Sequence, residues 1–466
     1  MILYYLAVGI AALLAFTVLV VFRDRSFALA NRTVALLNTM LSKVEDSKKQ
    51  KLLIKELGSV LRTIFIFLLV LMLAVFAGLA PVFGYSYFSA DPFSELDFSS
   101  GYFYLSISIG SIAPFLPLML KKSGSDYSDS SKLLHRIILD NQNISMALYS
   151  IEKQIFAKKI QATNKEYVIV SGLARAGTTA LTTLLHRVGN FHSLSYANMP
   201  FLLAPNLWSR VYKAKGEKLK ERSHGDKVQF GLNSVEALEE YFWKVSLEDS
   251  FIKDSSLQEH EVEEEVHQNY LHYQDLVKSA TDKNSVYLAK NNNMMLRYGS
   301  LRKLDPSFRM IIMFRRPLDH ARSLLQQHLR FSKLQKEDPF VLEYMNWLGH
   351  HEFGMGQKQF DLKGSKKSLL DNRTIDYWLE VWIDYYRSVS KYFQDKCLFL
   401  VAYEDFLEDP KSVFQQIGNV LNIELKLSEI QKFQGNPKEV YPEHNTELVE
   451  QAEQLYRSMY DLRVEA

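Results

Sequence analysis

The chain has 466 residues, of which 47% are hydrophobic, 13% aromatic and 23% Asp, Glu, Lys or Arg. This length suffices for one large domain with an accessory region, or for two domains. With 55 basic and 53 acidic residues the formal net charge is +2, which excludes a globally basic nucleic-acid-binding protein and an acid-rich disordered chain. Cys397 is the only cysteine, so an internal disulfide, a thiolate-bound iron–sulfur cluster and a cysteine-rich zinc site are excluded as well.

Three apolar runs near the amino terminus predict membrane-spanning helices. Residues 2–22 carry no charge and reach the length of about 20 residues that crosses a bilayer. A second run covers 63–83. A third, over 102–120, contains Pro114 and Pro117, which spanning helices tolerate where neighbours satisfy the freed carbonyls. A cleaved signal peptide is the alternative for the first run, but no positive residues precede this run and it is too long for a signal peptide's apolar core.

Charge asymmetry predicts the orientation of these helices. The predicted loop 23–62 is rich in Lys and Arg, the loop 84–101 contains neither, and Lys121 and Lys122 directly follow the third run. The positive-inside rule then puts the amino terminus outside and everything after Lys122 in the cytoplasm. We therefore predict a multi-pass integral membrane protein with a cytoplasmic catalytic domain, whereas a two-span topology would put that domain outside.

The sequence divides into three predicted regions. A membrane anchor over 1–122 precedes a linker and amphipathic helix over 123–165, and a large domain follows over 166–466. Ser, Asp and Gly dominate 124–131, which is typical of a linker, and apolar residues recur at helical spacing over 132–159.

The first strand of the large domain leads into a glycine-containing loop. Tyr167–Val170 is an apolar run typical of a strand, and a helical pattern follows the loop. Strand, loop and helix N-terminus together form an anion cradle in phosphate-binding proteins. Gly172 and Gly177 keep Walker A spacing, but Thr178 replaces the lysine that holds the β and γ phosphates. The loop therefore favours an anion site over an ATPase or kinase, with Arg175 as its cation, although such a loop alone is also found as an ordinary tight turn.

A second predicted strand, Arg309–Phe314, also ends in residues suited to an anion. Arg315 follows it directly and Ser323 lies on the next helical segment, so that they offer bidentate donors and a hydroxyl. Alone, such an arginine would equally suit a surface salt bridge. Because open α/β sheets bind ligands at the carboxyl ends of their strands, two anion sites there suit a nucleotide with separated phosphates.

These motifs resemble those of sulfotransferases that use 3′-phosphoadenosine 5′-phosphosulfate (PAPS). The family's 5′-phosphosulfate loop is matched by Arg175, Ala176, Gly177, Thr178 and Thr179. Ala176 stands where a serine is usual. The 3′-phosphate motif is matched in spacing by Arg315, Pro317 and Ser323, and Leu398–Phe406 is similar to the family's late strand and Tyr-Glu-Asp turn.

The resemblance covers residues 166–423 and implies a P-loop-like α/β domain, a three-layer parallel sheet with helices on both faces. It also implies PAPS as the sulfuryl donor and a hydroxyl-bearing acceptor. We expect no metal, because a sulfuryl group carries less charge than a phosphoryl group and the sequence contains no metal box, and we expect no nucleic-acid partner. Arg175, Thr178 and Thr179 are the expected stabilisers of the departing phosphate.

The acceptor hydroxyl needs a general base, for which the sequence offers several candidates. Many family members carry a glutamate shortly after the loop helix, but 191–200 has no carboxylate and offers His192 instead. Glu240 is our first choice, since aromatic residues follow it and would desolvate it. The run His350, His351 and Glu352 is a further candidate, and Lys290 at a predicted strand end would donate to the sulfuryl group or the acceptor. Ordinary structural roles are the alternatives: an exposed helix face for Glu240, a packed or surface side chain for His192 and a solvated strand end for Lys290.

The sequence thus predicts a membrane-anchored sulfotransferase that moves a sulfuryl group from PAPS to a hydroxyl of a lipid, a glycan or a small hydrophobic acceptor. The predicted orientation fits the donor, since that nucleotide is made in the cytosol. The alternative is a membrane protein that senses an adenosine phosphate without catalysis. Such a sensor needs Arg175, Arg315 and Ser323 but no acceptor-side base.

Overall fold

The computed structural model describes residues 2–41, 46–89, 97, 100–115, 129–156, 166–212, 220–221, 229–230, 234–278, 285–430 and 441–464. The chain forms two compact units, Met1–Leu133 and Leu134–Ala466. Lys121 and Lys122, on which the predicted orientation depends, and most of the predicted linker lie outside the described residues.

The first unit contains long apolar helices. Its described helices are α1 (Ile2–Val21), α2 (Arg23–Leu41), α3 (Asp46–Ser89) and α4 (Gly101–Ile112). Helix α1 packs against α3 and α4, and α2 packs against α3. Leu3–Val21 of α1 and Lys48–Ser89 of α3 are long and apolar enough to cross a membrane.

One predicted feature of this unit differs from the structure, and another is described only in part. Residues 23–62, predicted as a loop, are largely helical, because the segment is rich in Ala, Leu and Lys, which favour helix. The third predicted span, 102–120, is described only as far as Phe115, as α4 and a short 3₁₀ turn. The 12 residues of α4 extend about 18 Å, less than the roughly 30 Å of a bilayer core. Residues 116–120 lie outside the described part of the chain.

The second unit alternates strands and helices. From residue 129 onward the described helices are α5 (Asp129–Leu139), α6 (Gln142–Phe156), α7 (Thr178–Val188), α8 (Pro205–Val211), α9 (Glu240–Ser246), α10 (Glu264–Lys278), α11 (Tyr298–Leu304), α12 (Pro317–Glu337), α13 (Pro339–Trp347), α14 (Ile375–Ser390), α15 (Tyr403–Glu408), α16 (Pro410–Leu421) and α17 (Thr446–Asp461). The described strands are β1 (Tyr167–Ser171), β2 (Phe191–His192), β3 (Lys220–Glu221), β4 (Gln229–Phe230), β5 (Ser256–Gln258), β6 (Val286–Lys290), β7 (Met310–Phe314), β8 (Gln359–Asp361) and β9 (Leu398–Ala402).

Five parallel strands form the central sheet in the order β2–β6–β1–β7–β9. Every residue of β1, β6 and β7 is buried, as expected for a parallel sheet covered by helices. In the register, Val170 of β1 pairs with Lys290 of β6 and with Ile311 of β7. The carboxyl ends of these three strands therefore lie side by side, and the predicted parallel α/β fold is confirmed.

Helices pack on both faces of this sheet. Val168 and Val170 join one buried cluster with Leu181 of α7 and Phe414 of α16. Tyr167 contacts Tyr270 of α10, with 6.3 Å between the ring centroids. Because successive side chains of a strand point to opposite faces, α7 and α16 cover one face and α10 covers the other.

A buried ion pair joins α9 to the residue before α11. Nη1 and Nη2 of Arg297 donate to the two carboxylate oxygens of Glu240 at 2.9 and 2.8 Å. The Arg297 side chain is 0% exposed and that of Glu240 2% exposed. The guanidinium also lies over the ring of Trp243, 4.9 Å from its centroid. Each charge in this pair depends on the other, because neither has water to replace its partner.

Removing one member of this pair tests that dependence. We expect Glu240→Gln to lower the free energy of unfolding by about 3–5 kcal/mol, because Arg297 would stay buried without a counter-charge. Urea titration of the purified protein, followed by tryptophan fluorescence, measures the change. The control Glu261→Gln breaks the exposed pair with Lys303 and should cost less than about 1 kcal/mol. Equal losses in the two variants would contradict a structural role for the buried pair.

Candidate active site

The loop between β1 and α7 is folded tightly against two neighbouring elements. Gly172 has a φ of 137° and Gly177 a φ of 99°, both in the region that favours glycine. A Cβ atom on Gly172 would lie 2.5 Å from the carbonyl oxygen of Met313, and one on Gly177 would lie 2.6 Å from the ring of Tyr403. Both glycines are thus required by backbone conformation and by close packing. The loop delivers the chain into the N-terminus of α7, where free N–H groups favour an anion.

Residues from the two predicted anion motifs meet in the structure. Arg175, in the loop, donates from Nε to Oγ of Ser323 on α12 at 3.3 Å. His320, one turn before Ser323, lies with Nε2 2.8 Å from the carbonyl oxygen of Ala174. Burial lowers the pKa of His320 to about 3, and nearby Arg315 and Arg175 add to the lowering. The imidazole is therefore neutral and donates an N–H to that carbonyl, which ties α12 to the loop.

Arg315 lies half-buried where β7 ends. Its guanidinium carbon is 4.7 Å from the ring centroid of Tyr403, and its carbonyl oxygen accepts a hydrogen bond from Nε1 of Trp382 at 3.2 Å. The next residue, Arg316, is exposed, and its backbone amide donates to Oε1 of Glu404 at 3.0 Å. The two adjacent arginines therefore differ in environment, and only Arg315 is held against the residues that surround the loop.

Lys290 supplies a cation on the other side of β1. Its Nζ lies 3.3 Å from Oε2 of Glu236, and both side chains are buried. Because Lys290 pairs with Val170, this cation lies at the same edge of the sheet as the loop. Glu236 was missed among the site residues predicted from sequence. The sequence signal for it was the presence of three glutamates within five residues, Glu236, Glu239 and Glu240.

Asn292 connects the loop helix to another carboxylate. The hydroxyl of Thr178, the first residue of α7, donates to Oδ1 of Asn292 at 3.4 Å. Nδ2 of Asn292 donates to Oε1 of Glu352 at 3.0 Å. Glu352 is only partly buried. A carboxylate with solvent access therefore lies two hydrogen bonds away from the start of α7.

Glu239 holds the chain directly after Lys290. Its carboxylate accepts hydrogen bonds from the hydroxyls of Tyr270 and Tyr287 and from Nδ2 of Asn291, the last two at 3.2 Å. Burial raises the pKa of Glu239 to about 7, while the hydrogen bonds from Tyr270 and Asn291 oppose the rise. These contacts fix Asn291, so Lys290 and Asn292 extend from an anchored residue.

Two predicted bases occupy positions that do not suit that role. Both oxygens of Glu240 are engaged by Arg297, which leaves neither available to an acceptor hydroxyl. His192 pairs with Tyr287, three residues before Lys290, so it lies about 10 Å from the carboxyl edge at roughly 3.3 Å per residue. Burial lowers the pKa of His192 to about 4, so the ring is neutral. A neutral imidazole could accept a proton, but this one lies too far from the loop to do so.

This edge carries three cations near the loop in addition to the partly exposed carboxylate of Glu352. Arg175, Arg315 and Lys290 surround the loop, while Ala176 is fully buried and Thr179 lies in the first turn of α7. In the part of the chain that the structure describes, no three His, Cys, Asp or Glu side chains form a cluster that would hold a metal ion.

Three solved sulfotransferase structures are similar to this chain. STF9 of Mycobacterium avium is 14% identical, with 79% of this chain and 92% of that chain covered and a TM-score of 0.44. STF1 of Mycobacterium tuberculosis H37Rv is 12% identical, with 73% and 86% covered and a TM-score of 0.38. A sulfotransferase of Alicyclobacillus acidocaldarius is 13% identical, with 64% and 94% covered and a TM-score of 0.31.

Family membership rests on the sequence itself. Among proteins with curated functions, none matches this chain. The family model described as "Sulfotransferase domain" matches residues 165–459, a span that contains the loop, Arg315 and Ser323, and the Tyr403–Asp405 turn. Since this match covers more than half of the chain, the protein belongs to the sulfotransferase family and is a sulfotransferase enzyme.

Proposed function

We propose that this enzyme is anchored in a membrane and transfers a sulfuryl group from PAPS to a hydroxyl of a lipid, a lipid-linked glycan or a small hydrophobic acceptor. Sulfotransferases generally use this donor and a hydroxyl acceptor. One contact carries the donor assignment: Arg175 of the loop lies 3.3 Å from Ser323 of the second motif. The contact brings together two motifs that are 148 residues apart in sequence, and this supports a single nucleotide that touches both.

In this proposal the donor lies along the edge formed by β1 and β7. The loop amides, Thr178 and Thr179 hold the 5′-phosphosulfate at the N-terminus of α7. Arg315 and Ser323 hold the 3′-phosphate, for which a guanidinium offers paired donors. Arg175 lies between the two groups, because its side chain already contacts Ser323.

The transfer is an in-line displacement at sulfur. The acceptor oxygen forms a bond to sulfur while the bond from sulfur to the 5′-phosphate oxygen breaks, and adenosine 3′,5′-bisphosphate leaves. Negative charge grows on the departing phosphate, where Arg175 and the loop donors stabilise it. Lys290, held by Glu236, is placed to donate to the sulfuryl oxygens. The proton of the acceptor hydroxyl goes to a carboxylate.

We assign Glu352 as the general base that accepts this proton. Its carboxylate is partly exposed and reaches Thr178 through Asn292, so it lies beside the loop and is open to an acceptor. Glu240, our first choice from sequence, has both oxygens bound by Arg297. The presence of an acceptor-side carboxylate favours catalysis over donor sensing alone.

The membrane assignment draws on the two long apolar helices. Leu3–Val21 and Lys48–Ser89 have the length and composition of spanning segments. The proposed side of the membrane for the catalytic unit is the cytoplasm, where the donor is made. An enzyme fixed at a bilayer meets lipid-borne hydroxyls at high local concentration, and this favours a lipid or lipid-linked acceptor.

Labelled donor tests the acceptor class. Membranes that contain the protein are incubated with ³⁵S-labelled PAPS and then partitioned between organic solvent and water. We expect label in the organic phase, because a sulfated lipid keeps its acyl or prenyl chains. Membranes with the Gly177→Arg variant, which fills the loop, are the control and should give no labelled product. Label found only in water-soluble products would contradict a lipid acceptor.

The 3′-phosphate assignment is tested by adjacent arginines. Arg315→Ala should weaken the binding of adenosine 3′,5′-bisphosphate about 10- to 100-fold, because a charge-assisted hydrogen bond is worth roughly 1.5–3 kcal/mol. Arg316→Ala keeps the backbone amide that Glu404 binds and removes a largely exposed side chain that contacts Tyr456, so the expected loss is below about threefold. Isothermal titration of both variants measures the difference. Equal losses, or a larger loss at Arg316, would refute the assignment.

The base assignment is tested at Glu352. We expect Glu352→Gln to lower kcat about 10²- to 10⁴-fold, the usual contribution of general base catalysis, and to leave donor affinity unchanged. The amide can still accept the hydrogen bond from Asn292, so the local structure should persist. Glu337→Gln, at a side chain that is 62% exposed, is the control and should leave kcat unchanged. Single-turnover kinetics with saturating donor give the comparison, and an unaltered rate for Glu352→Gln would exclude it as the base.

A further inference from the structure

The carboxyl-terminal segment 441–464 contacts α12 between the two residues of the 3′-phosphate motif. The hydroxyl of Tyr441 donates to Oδ1 of Asp319 at 2.6 Å. The guanidinium carbon of Arg322 lies over the Tyr441 ring, 5.1 Å from its centroid. Asp319 and Arg322 both belong to the first two turns of α12, so this end of the chain lies against the helix that carries Ser323.

Tyr456 of α17 reaches the strand end of the same motif through Glu404. Its hydroxyl donates to Oε2 of Glu404 at 2.9 Å, while Oε1 of Glu404 accepts the backbone amide of Arg316 at 3.0 Å. The Tyr456 ring also packs edge-on against Phe314, with 5.5 Å between centroids. Phe314 and Arg316 are the two chain neighbours of Arg315, so Tyr456 contacts one neighbour directly and the other through Glu404.

Tyr460, one turn later, makes a similar contact that does not lead to Arg315. Its hydroxyl donates to Oδ1 of Asp405 at 2.8 Å, and Arg463 pairs with the same carboxylate. The rings of Tyr456 and Tyr460 stack at 5.7 Å. The two tyrosines therefore share one helix and one kind of partner, but only Tyr456 is connected to the arginine motif.

We infer that Tyr456 is a positioning residue for the donor's 3′-phosphate, acting through Glu404 on Arg315. This inference rests on the proposed function, in which Arg315 binds that phosphate. Glu404 is a partly buried carboxylate close to Arg315, which lies over the neighbouring Tyr403. The Tyr456 hydroxyl and the Arg316 amide occupy both of its oxygens. The side chain of Arg316 also faces Tyr456 and Glu404. Without the hydroxyl, Oε2 would be left to the guanidinium groups of Arg315 and Arg316, and it would compete with the phosphate for Arg315.

The matched variants Tyr456→Phe and Tyr460→Phe test the inference in the full-length protein in detergent. Each removes one hydroxyl that donates to a carboxylate of α15, so both should lower the melting temperature by similar amounts. We expect Tyr456→Phe to weaken the binding of adenosine 3′,5′-bisphosphate about 5- to 10-fold, part of the value of one charge-assisted hydrogen bond. Binding of adenosine 5′-phosphate, which lacks the 3′-phosphate, should not change. Tyr460→Phe should leave both affinities within about twofold of the original, which is within the usual scatter of surface contacts.

Kinetics separate positioning from general damage. For Tyr456→Phe we expect a higher KM for PAPS with kcat unchanged, since only donor binding is affected. Equal effects of the two variants on bisphosphate binding, or a loss shared by adenosine 5′-phosphate, would overturn the inference while leaving the donor assignment intact. If the unaltered protein fails to prefer the bisphosphate over adenosine 5′-phosphate, the 3′-phosphate assignment fails and this inference falls with it.

Discussion

Cations at the carboxyl edge of the sheet must be balanced by carboxylates before any substrate arrives, because a charge removed from water is costly without a partner. Lys290 is paired with Glu236, and Arg297 with Glu240. Arg315 is stacked on Tyr403 and lies next to Glu404. Much of the architecture around the site, including the turn over 236–240 and the start of α15, serves to supply these counter-charges.

This balance explains how the site is preorganised. Side chains that are already fixed need little reorganisation when charge develops on a leaving phosphate, and that is where electrostatic catalysis gains most. Glu239 anchors Asn291, which directly follows β6. Burial raises the pKa of Glu239 to about 7. Glu352 differs from these carboxylates, because it retains solvent access and is held by Asn292.

The Tyr403–Asp405 turn connects the loop, the arginine motif and the carboxyl terminus. The ring of Tyr403 lies against the place where a Gly177 side chain would be and also under Arg315. Glu404 binds the Arg316 amide and Tyr456, and Asp405 binds Tyr460 and Arg463. Three consecutive residues therefore join elements that are far apart in sequence. These contacts explain physically why a Tyr-Glu-Asp turn follows the last strand, since each of its three side chains holds a different part of the domain.

The sequence by itself determined the glycine loop and the two strand-end arginine and serine motifs, because apolar strands, glycine spacing and an arginine at a strand end are local patterns. The family resemblance that these motifs carry implied the parallel α/β class. The sequence also identified Lys290 as a strand-end cation. Only the tertiary structure decided that Glu240 lies in an ion pair with Arg297, that His192 lies near the amino end of β6, and that Glu352 reaches Thr178. Each of these facts depends on contacts between residues that are more than 50 positions apart in sequence. Such pairings follow from strand order and helix packing, which no local pattern encodes.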